Sequence, residues 1–340
     1  MAEAGALKNL FSANAVKPQS SPRSTATRTV IGVSRFVFAI VLLSLLWQLV
    51  DGERAIQLIV SADLLWLVLA AAALVLQIVF SALRWRLTAA QLGVRLDKKT
   101  AVREYFLSQA VNQTLPGGVI GDAARAFRSR SQAGLVVSGQ AVFLERMAGL
   151  SVLIAVMLTA FGLTSVFGLI YWPGWLLALL GLFLAILIVL VVAFWATTKT
   201  SRGKIKKGLS SIIQASKIAL LAPSVRWAQL SLSLATVITN IAGFTFVAWA
   251  IGSDLSFFAA LALVPLILLA MLIPLTISGW GIRESAAVIL FPLVGLPGVE
   301  GLASSFAFGL LSLAVTAPGV MVAIWSGKKN RSDQLGTGSQ

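Results

Sequence analysis

The chain has 340 residues, of which 58% are hydrophobic and only 11% are charged, and its mean hydropathy is +0.92. Soluble globular domains carry about 25% charged residues, so this composition excludes an ordinary soluble protein and predicts a surface that largely faces lipid. Cysteine and histidine are absent, which excludes disulfides, thiolate chemistry and imidazole ligands, and the net charge of +15 is typical of basic cytoplasmic loops rather than nucleic-acid binding, because the basic residues are scattered between apolar runs.

Several apolar runs are long enough to cross a bilayer, which takes about 20 apolar residues in a helix. They cover residues 30–50, 64–83, 141–168, 174–196, 227–250 and 301–325. The polar segments at the two ends, 1–29 and 327–340, are predicted to be disordered tails. One transmembrane domain of residues 30–326 is therefore expected between them.

Two further apolar regions are interrupted by glycine and proline. Residues 105–128 break at Leu-Pro-Gly-Gly (115–118), and residues 257–296 break at Pro274 and again at Ser-Gly-Trp-Gly (278–281). Each region consists of two halves that are too short to span, which predicts a re-entrant hairpin or a broken helix. The predicted fold is an all-α polytopic membrane protein with about six full transmembrane helices and two such hairpins.

The loop charges predict an orientation. Basic residues are concentrated in segments 1–29, 84–103, 200–226 and 328–331, which places these segments and both termini in the cytoplasm. The two hairpins would then enter the membrane from opposite sides, as in an inverted-topology repeat whose substrate site lies between broken helices. Eight ordinary or short spans without symmetry are the alternative.

The segment after the first break is the first candidate site. Charges inside a membrane are expensive and usually face a cavity or one another. A helix that starts at Gly121 would direct backbone N–H groups at a ligand, and Asp122 could cap that helix. Arg125 and Arg128 would share a helix face and could bind two oxygens of a phosphate. The alternative is a polar interfacial turn with snorkelling arginines.

Two pairs of adjacent charged residues are the next candidates. Glu145 and Arg146 lie in an otherwise apolar run, where the alternative is an interfacial arginine with a local acidic partner. Arg283 and Glu284 open the helix after the second break, and an acid is favoured in the first turn of a helix. The alternative there is a satisfied structural ion pair.

Other motifs are uninformative or absent. Arg84, Trp85 and Arg86, at the end of the second apolar run, are interpreted as an anchor for lipid head groups. The sequence has no Asp-x-Asp metal pair and no phosphate-binding loop of the Gly-x-x-x-x-Gly-Lys-Ser/Thr type, so nucleotide-driven pumping and a metal or other cofactor are not expected.

Three motifs occur in order: Leu-Pro-Gly-Gly with Gly-Asp-Ala-Ala-Arg at 115–125, Leu-Glu-Arg-Met-Ala-Gly at 144–149, and Ser-Gly-Trp-Gly-Ile-Arg-Glu at 278–284. In these motifs, and over roughly residues 30–325, the chain resembles the lysylphosphatidylglycerol synthase transmembrane-region family, which includes the flippase portion of the multiple peptide resistance factor and stand-alone relatives. The resemblance implies lipid handling by a cavity built from Asn112, Gly118, Asp122, Arg125, Glu145, Arg146, Arg283 and Glu284.

The multiple peptide resistance factor also has a cytosolic domain that transfers an amino acid from tRNA. The present chain ends shortly after its last apolar run, so we expect no such domain and no synthesis of lysyl-lipid by this chain. A lysyl-lipid as the transported substrate is correspondingly in doubt.

Residues and resemblance together predict a lipid flippase or translocase of a bacterial cytoplasmic membrane rather than an enzyme. Its expected partners are the bilayer and a phosphate-containing lipid with an anionic head group, aminoacylated and sugar-linked lipids included, and a homodimer stays open. Arg125, Arg146 and Arg283 would neutralise the phosphate, while neighbouring acids hold them or bind a cationic head group. A gradient, the membrane potential or product removal would drive transport.

Two alternatives belong to other functional classes. The chain could be an integral-membrane enzyme on a lipid-linked substrate, with Asp122 or Glu284 as the base. It could also be an accessory subunit of lipid or envelope-glycan synthesis that transports nothing, in which case no buried charge would be needed for function.

Overall fold

The computed structural model describes residues 22–115, 118–200, 202–273, 276 and 278–336, and this part of the chain is helical without strands. The predicted disorder of residues 1–21 and 337–340 lies outside the described residues. The first helix already begins at Pro22, since proline is favoured at the first helical position. The last helix continues to Gly336, beyond the end of the apolar run. Residues 319–336 contain no proline that would end it earlier.

The first part of the chain forms six α-helices. They are Pro22–Leu49 (α1), Gly52–Val60 (α2), Leu64–Gln91 (α3), Lys98–Thr114 (α4), Ile120–Arg128 (α5) and Arg130–Val166 (α6). Six more follow: Gly174–Thr200 (α7), Gly203–Ser216 (α8), Arg226–Ala250 (α9), Phe257–Ala270 (α10), Ile282–Leu290 (α11) and Gly298–Gly336 (α12). A π-helical turn, Lys217–Leu221, follows α8, and a 3-10 turn, Phe291–Val294, follows α11.

The predicted number of spans agrees with the structure. Among the described residues, five helices are long and apolar enough to cross a membrane: α3, α6, α7, α9 and the segment Gly298–Ala317 of α12. A sixth span results if Phe36–Leu49 of α1 and Gly52–Val60 are counted together, although these two helices meet at 92°. The protein is thus an all-α polytopic membrane protein.

The two interrupted regions form the predicted helix–turn–helix units. In the first hairpin α4 packs against α5, and in the second α10 packs against α11. The second turn needs glycine, since Gly279 and Gly281 have φ angles of 78° and 85°, which side chains disfavour. Three other residues of the predicted breaks, Pro116, Gly117 and Pro274, lie outside the described residues.

The packing between helices follows the pattern expected if a two-fold axis relates the first half of the chain, α1–α6, to the second half, α7–α12. Helix α3 packs along α9, its counterpart in chain order. Helix α4 packs against α12, and its counterpart α10 packs against α6, the counterpart of α12. This reciprocal packing brings both hairpins to the middle of the bundle, between α6 and α12. The orientation of each hairpin relative to the membrane stays a prediction.

The contact between α11 and α12 gives a stability prediction. A Cβ atom on Gly301 would lie 2.5 Å from the carbonyl oxygen of Ala287, so Gly301→Ala must push two helix backbones apart. Overpacking of this kind costs about 1–3 kcal/mol. Gly162→Ala in α6 is the matched control, because its Cβ meets nothing within 4 Å. We expect a lower thermal midpoint in detergent for Gly301→Ala only, and equal midpoints would contradict the close approach.

Candidate functional site

A cavity of about 290 Å³ lies where the two hairpins meet. Gly118 of the first turn and Ser278 of the second turn both border it, as the sequence predicts for two broken helices that share a site. Its polar wall contains two arginines and five carboxamides, contributed by α3, α4, α6, α9 and α11: Arg146, Arg283, Gln77, Gln109, Asn112, Gln113 and Asn240.

A buried carboxylate, Glu145 on α6, lies behind this wall. The Nη2 atom of Arg84 on α3 is 2.6 Å from its Oε1, and Nη2 of Arg125 on α5 is 3.2 Å from its Oε2. The hydroxyl of Tyr105 on α4 donates to the same Oε1 at 3.2 Å. Because Glu145 is fully buried, its charge is stabilised by these three donors rather than by water. The carboxylate thereby joins four helices.

Asp122 on α5 is the second acid of the cluster. Its Oδ1 accepts hydrogen bonds from Arg125 Nη2 at 2.9 Å and from the Ser108 hydroxyl at 3.1 Å. Its Oδ2 accepts from Asn112 Nδ2 at 3.1 Å and forms an ion pair with Arg146. Both oxygens are therefore occupied, and Asp122 connects the buried ion pairs with the arginine at the cavity wall.

The predicted capping role of Asp122 is wrong. Helix α5 starts at Ile120, so Asp122 lies within its first turn, and Val119 at the cap position makes no side-chain hydrogen bond. The N–H of Gly121 is instead bound by Asn112 Oδ1 at 2.8 Å. The side chain of Asn112 on α4 thus supplies the capping hydrogen bond of α5 across the turn.

Arg125 and Arg128 do not form the predicted phosphate-binding pair. The guanidinium of Arg125 is fully buried between the rings of Trp85 and Tyr105, with its carbon 4.4 Å from each ring centroid. Arg128 is not among the residues that line the cavity, and it pairs with Glu104 at a position where the arginine side chain is 37% exposed. Residues three apart share a helix face, so the two side chains are separated by their different partners, Glu145 for Arg125 and Glu104 for Arg128.

Arg84 and Trp85 are not the predicted head-group anchor. They are only 4% and 1% exposed, because Arg84 turns inward to Glu145. Gly149 leaves room for this arginine, since a Cβ there would lie 2.7 Å from Arg84 Nη2. The Nε of Arg86 binds the carbonyl of Leu96 at 2.8 Å. The sequence does not show whether a charged residue at the end of an apolar run points into the protein or toward the lipid head groups. The contact between Arg84 and Glu145 was therefore missed.

The second hairpin carries a compact ion pair at the start of α11. Arg283 Nη2 lies 2.5 Å from Glu284 Oε1, and Glu284 Oε2 accepts the N–H of Gly281 at 2.6 Å. Ser305 on α12 binds both partners, accepting from Arg283 Nε at 2.9 Å and donating to Glu284 at 3.0 Å. Glu284 therefore acts at the helix start as predicted. A Cβ on Gly309 would collide with the Arg283 guanidinium.

The predicted residues fall into three groups. Those that line the cavity are Asn112, Gly118, Arg146 and Arg283. Those buried behind the wall, bonded to neighbouring donors or acceptors, are Asp122, Arg125, Glu145 and Glu284. The remaining residue, Arg128, lies elsewhere.

Sequence reasoning missed the uncharged part of the site. The carboxamides Gln77, Gln109, Gln113 and Asn240 line the cavity, and the Tyr105 hydroxyl binds Glu145 behind it. A usable signal existed for two of them, because Gln77 and Asn240 are isolated amides within apolar runs. An amide inside a span usually faces protein or a polar cavity rather than lipid.

The Glu145 cluster predicts a large difference between a carboxylate in a fully buried network and one that pairs with a partly exposed arginine. Glu145→Gln leaves Arg84 and Arg125 with one shared acid fewer, and breaking a buried pair costs about 3–5 kcal/mol. Glu104→Gln removes the acid that pairs with the partly exposed Arg128, which costs at most about 1 kcal/mol. Unfolding of both variants in the same detergent measures the difference. Equal destabilisation would show that Glu145 does not hold the fold together.

The comparisons with known proteins agree with the membrane architecture. The family described as lysylphosphatidylglycerol synthase TM region matches residues 32–319. No curated protein and no solved structure matches the chain. The matched range contains both hairpins, both ion-pair clusters and the cavity. The chain therefore belongs to the lysylphosphatidylglycerol synthase transmembrane-region family, with a role related to membrane lipids.

Proposed function

We propose that this protein is a flippase or translocase that moves a lipid with an anionic, phosphate-containing head group between the leaflets of a bacterial cytoplasmic membrane, with both termini in the cytoplasm. The observation that carries the proposal is that Arg146 and Arg283, from different halves of the chain, face one cavity between the hairpins. The phosphate would bind between these guanidinium groups, which suit its oxygens, while the acyl chains stay in lipid.

The charge balance of the first cluster supports an anionic ligand. Three guanidinium groups, those of Arg84, Arg125 and Arg146, face only two carboxylates, Asp122 and Glu145. One positive charge therefore has no matching carboxylate in the described cluster. We assign this excess positive charge to Arg146, because its side chain is 35% exposed whereas the side chains of Arg84 and Arg125 are buried. An entering phosphate neutralises this charge in surroundings of low dielectric constant.

The hydrogen bonds that the cluster carboxylates already accept favour transport over catalysis. A general base needs a free oxygen near the proton that it removes. Both oxygens of Asp122 already accept hydrogen bonds, and so do both oxygens of Glu284. These groups position arginines, and Arg125 acts with them as part of the buried frame rather than as a ligand for the phosphate.

Lipid crossing tests the role of Arg146. The purified protein is placed in vesicles with a trace of phosphatidylglycerol labelled on an acyl chain with a nitrobenzoxadiazole (NBD) dye, and dithionite bleaches the label in the outer leaflet. Losing a charge-assisted hydrogen bond of about 1.5–3 kcal/mol predicts that Arg146→Gln slows crossing about 10- to 100-fold. Arg226→Gln, which removes an exposed arginine at the start of α9, is expected to leave the rate unchanged.

Two results would overturn the proposal. One is crossing no faster than in protein-free vesicles, and the other is an unchanged rate for Arg146→Gln. Arg283 also neutralises Glu284, so Arg283→Gln risks unfolding. Arg283→Lys keeps the positive charge and loses the second hydrogen bond of the fork, and we expect it to fold and to slow crossing less than Arg146→Gln does.

A further inference from the structure

The cavity wall combines positive charge with carboxamides and contains no carboxylate among the described residues. The nearest acids, Asp122, Glu145 and Glu284, lie behind the wall and are bonded to arginines. The turn residues outside the described part contribute no carboxylate either, because they are Pro116, Gly117, Pro274, Leu275 and Ile277. A ligand in this cavity therefore meets guanidinium groups and neutral amides.

Resting on the function proposed above, we infer that the head group carries uncharged hydroxyl groups beyond its phosphate, as a glycerol or glycosyl phosphate does, and that a cationic aminoacylated head group is disfavoured. The phosphate would lie at Arg146 and Arg283, and the hydroxyl groups would lie at the amides. An ammonium group would enter beside two guanidinium groups and find no free carboxylate, because Asp122 and Glu284 lie behind the wall and are already paired with these arginines.

Two of the amides are free to bind a ligand. Gln109 on α4 and Asn240 on α9 are half-buried, line the cavity and make no hydrogen bond within the described part of the chain. A carboxamide offers both donors and an acceptor, which matches a hydroxyl group that also does both. Because nothing in the described part of the chain occupies these two amides, a hydroxylated ligand can bind them without breaking an existing protein hydrogen bond.

The other carboxamides of the wall are already engaged. Asn112 binds the N–H of Gly121 and the carboxylate of Asp122, Gln77 donates to the Ser81 hydroxyl at 3.3 Å, and Gln113 donates weakly to a carbonyl on α12. Gln109 and Asn240 are thus the carboxamides that are available to bind the hydroxyl groups of the head group. The indole of Trp280 also borders the cavity and gives the C–H face of a glycerol or sugar an apolar surface.

The experiment compares three acyl-NBD lipids in phosphatidylcholine vesicles that contain the purified protein. Phosphatidylglycerol carries two hydroxyl groups, phosphatidylpropanol has the same charge and chain length without them, and lysyl-phosphatidylglycerol is cationic. We expect phosphatidylglycerol to cross fastest, phosphatidylpropanol about fivefold slower for each hydrogen bond lost, and the lysyl-lipid slowest. Equal rates, or a faster lysyl-lipid, would overturn the inference and leave the proposed flippase function standing. If no lipid crosses faster than without protein, the proposed function itself fails.

Variants of the two free amides give a second readout that a merely structural effect would not move. The double variant Asn240→Leu/Gln109→Leu should slow phosphatidylglycerol to the rate of phosphatidylpropanol, each single variant should slow it about fivefold, and the rate of phosphatidylpropanol should be unchanged in all three. Asn240→Asp, which brings a carboxylate of nearly the same shape into the wall, should speed the lysyl-lipid relative to phosphatidylglycerol. Unchanged ratios between the three lipids in all these variants would show that the amides do not read the head group.

Discussion

The arrangement depends on one buried carboxylate, Glu145, which is held between two guanidinium groups in the apolar interior. Arg84 comes from α3 and Arg125 from α5, so the ion pairs join the second span, the return helix of the first hairpin and the third span. A charge in this environment is tolerated only when it is paired, and each partner here requires the others. The position of the first hairpin, and with it one wall of the cavity, follows from this requirement.

In the second half of the chain, the buried ion pair is stabilised by fewer charged residues than in the first half. Arg283 and Glu284 are neighbours in sequence, and Ser305 supplies the hydrogen bonds that a second acid and a second arginine supply in the first half. Both halves seat a guanidinium group against a glycine of a long helix, Gly149 on α6 and Gly309 on α12. These glycines occupy corresponding helices, which adds a detailed correspondence to the reciprocal packing of the two parts of the chain.

The sequence predicts those features that depend on local composition. Apolar runs, glycine and proline breaks, and an acid in the first turn of a helix are local, and the spans, the hairpins and the role of Glu284 agree with the structure. Partners that meet from distant parts of the chain are not encoded in any local pattern. The inward turn of Arg84 to Glu145, the capping hydrogen bond from Asn112 and the outward turn of Arg128 therefore appear only in the folded protein.

The unmatched positive charge near Arg146 has an electrical consequence. Moving one elementary charge through a potential of 100 mV changes the free energy by about 2.3 kcal/mol, so any rearrangement that carries this charge across the membrane field is voltage-dependent. A singly charged anion bound beside it makes the moving unit neutral. In the proposed translocation the loaded step would then be electrically silent, and the membrane potential would act on the return of the empty protein.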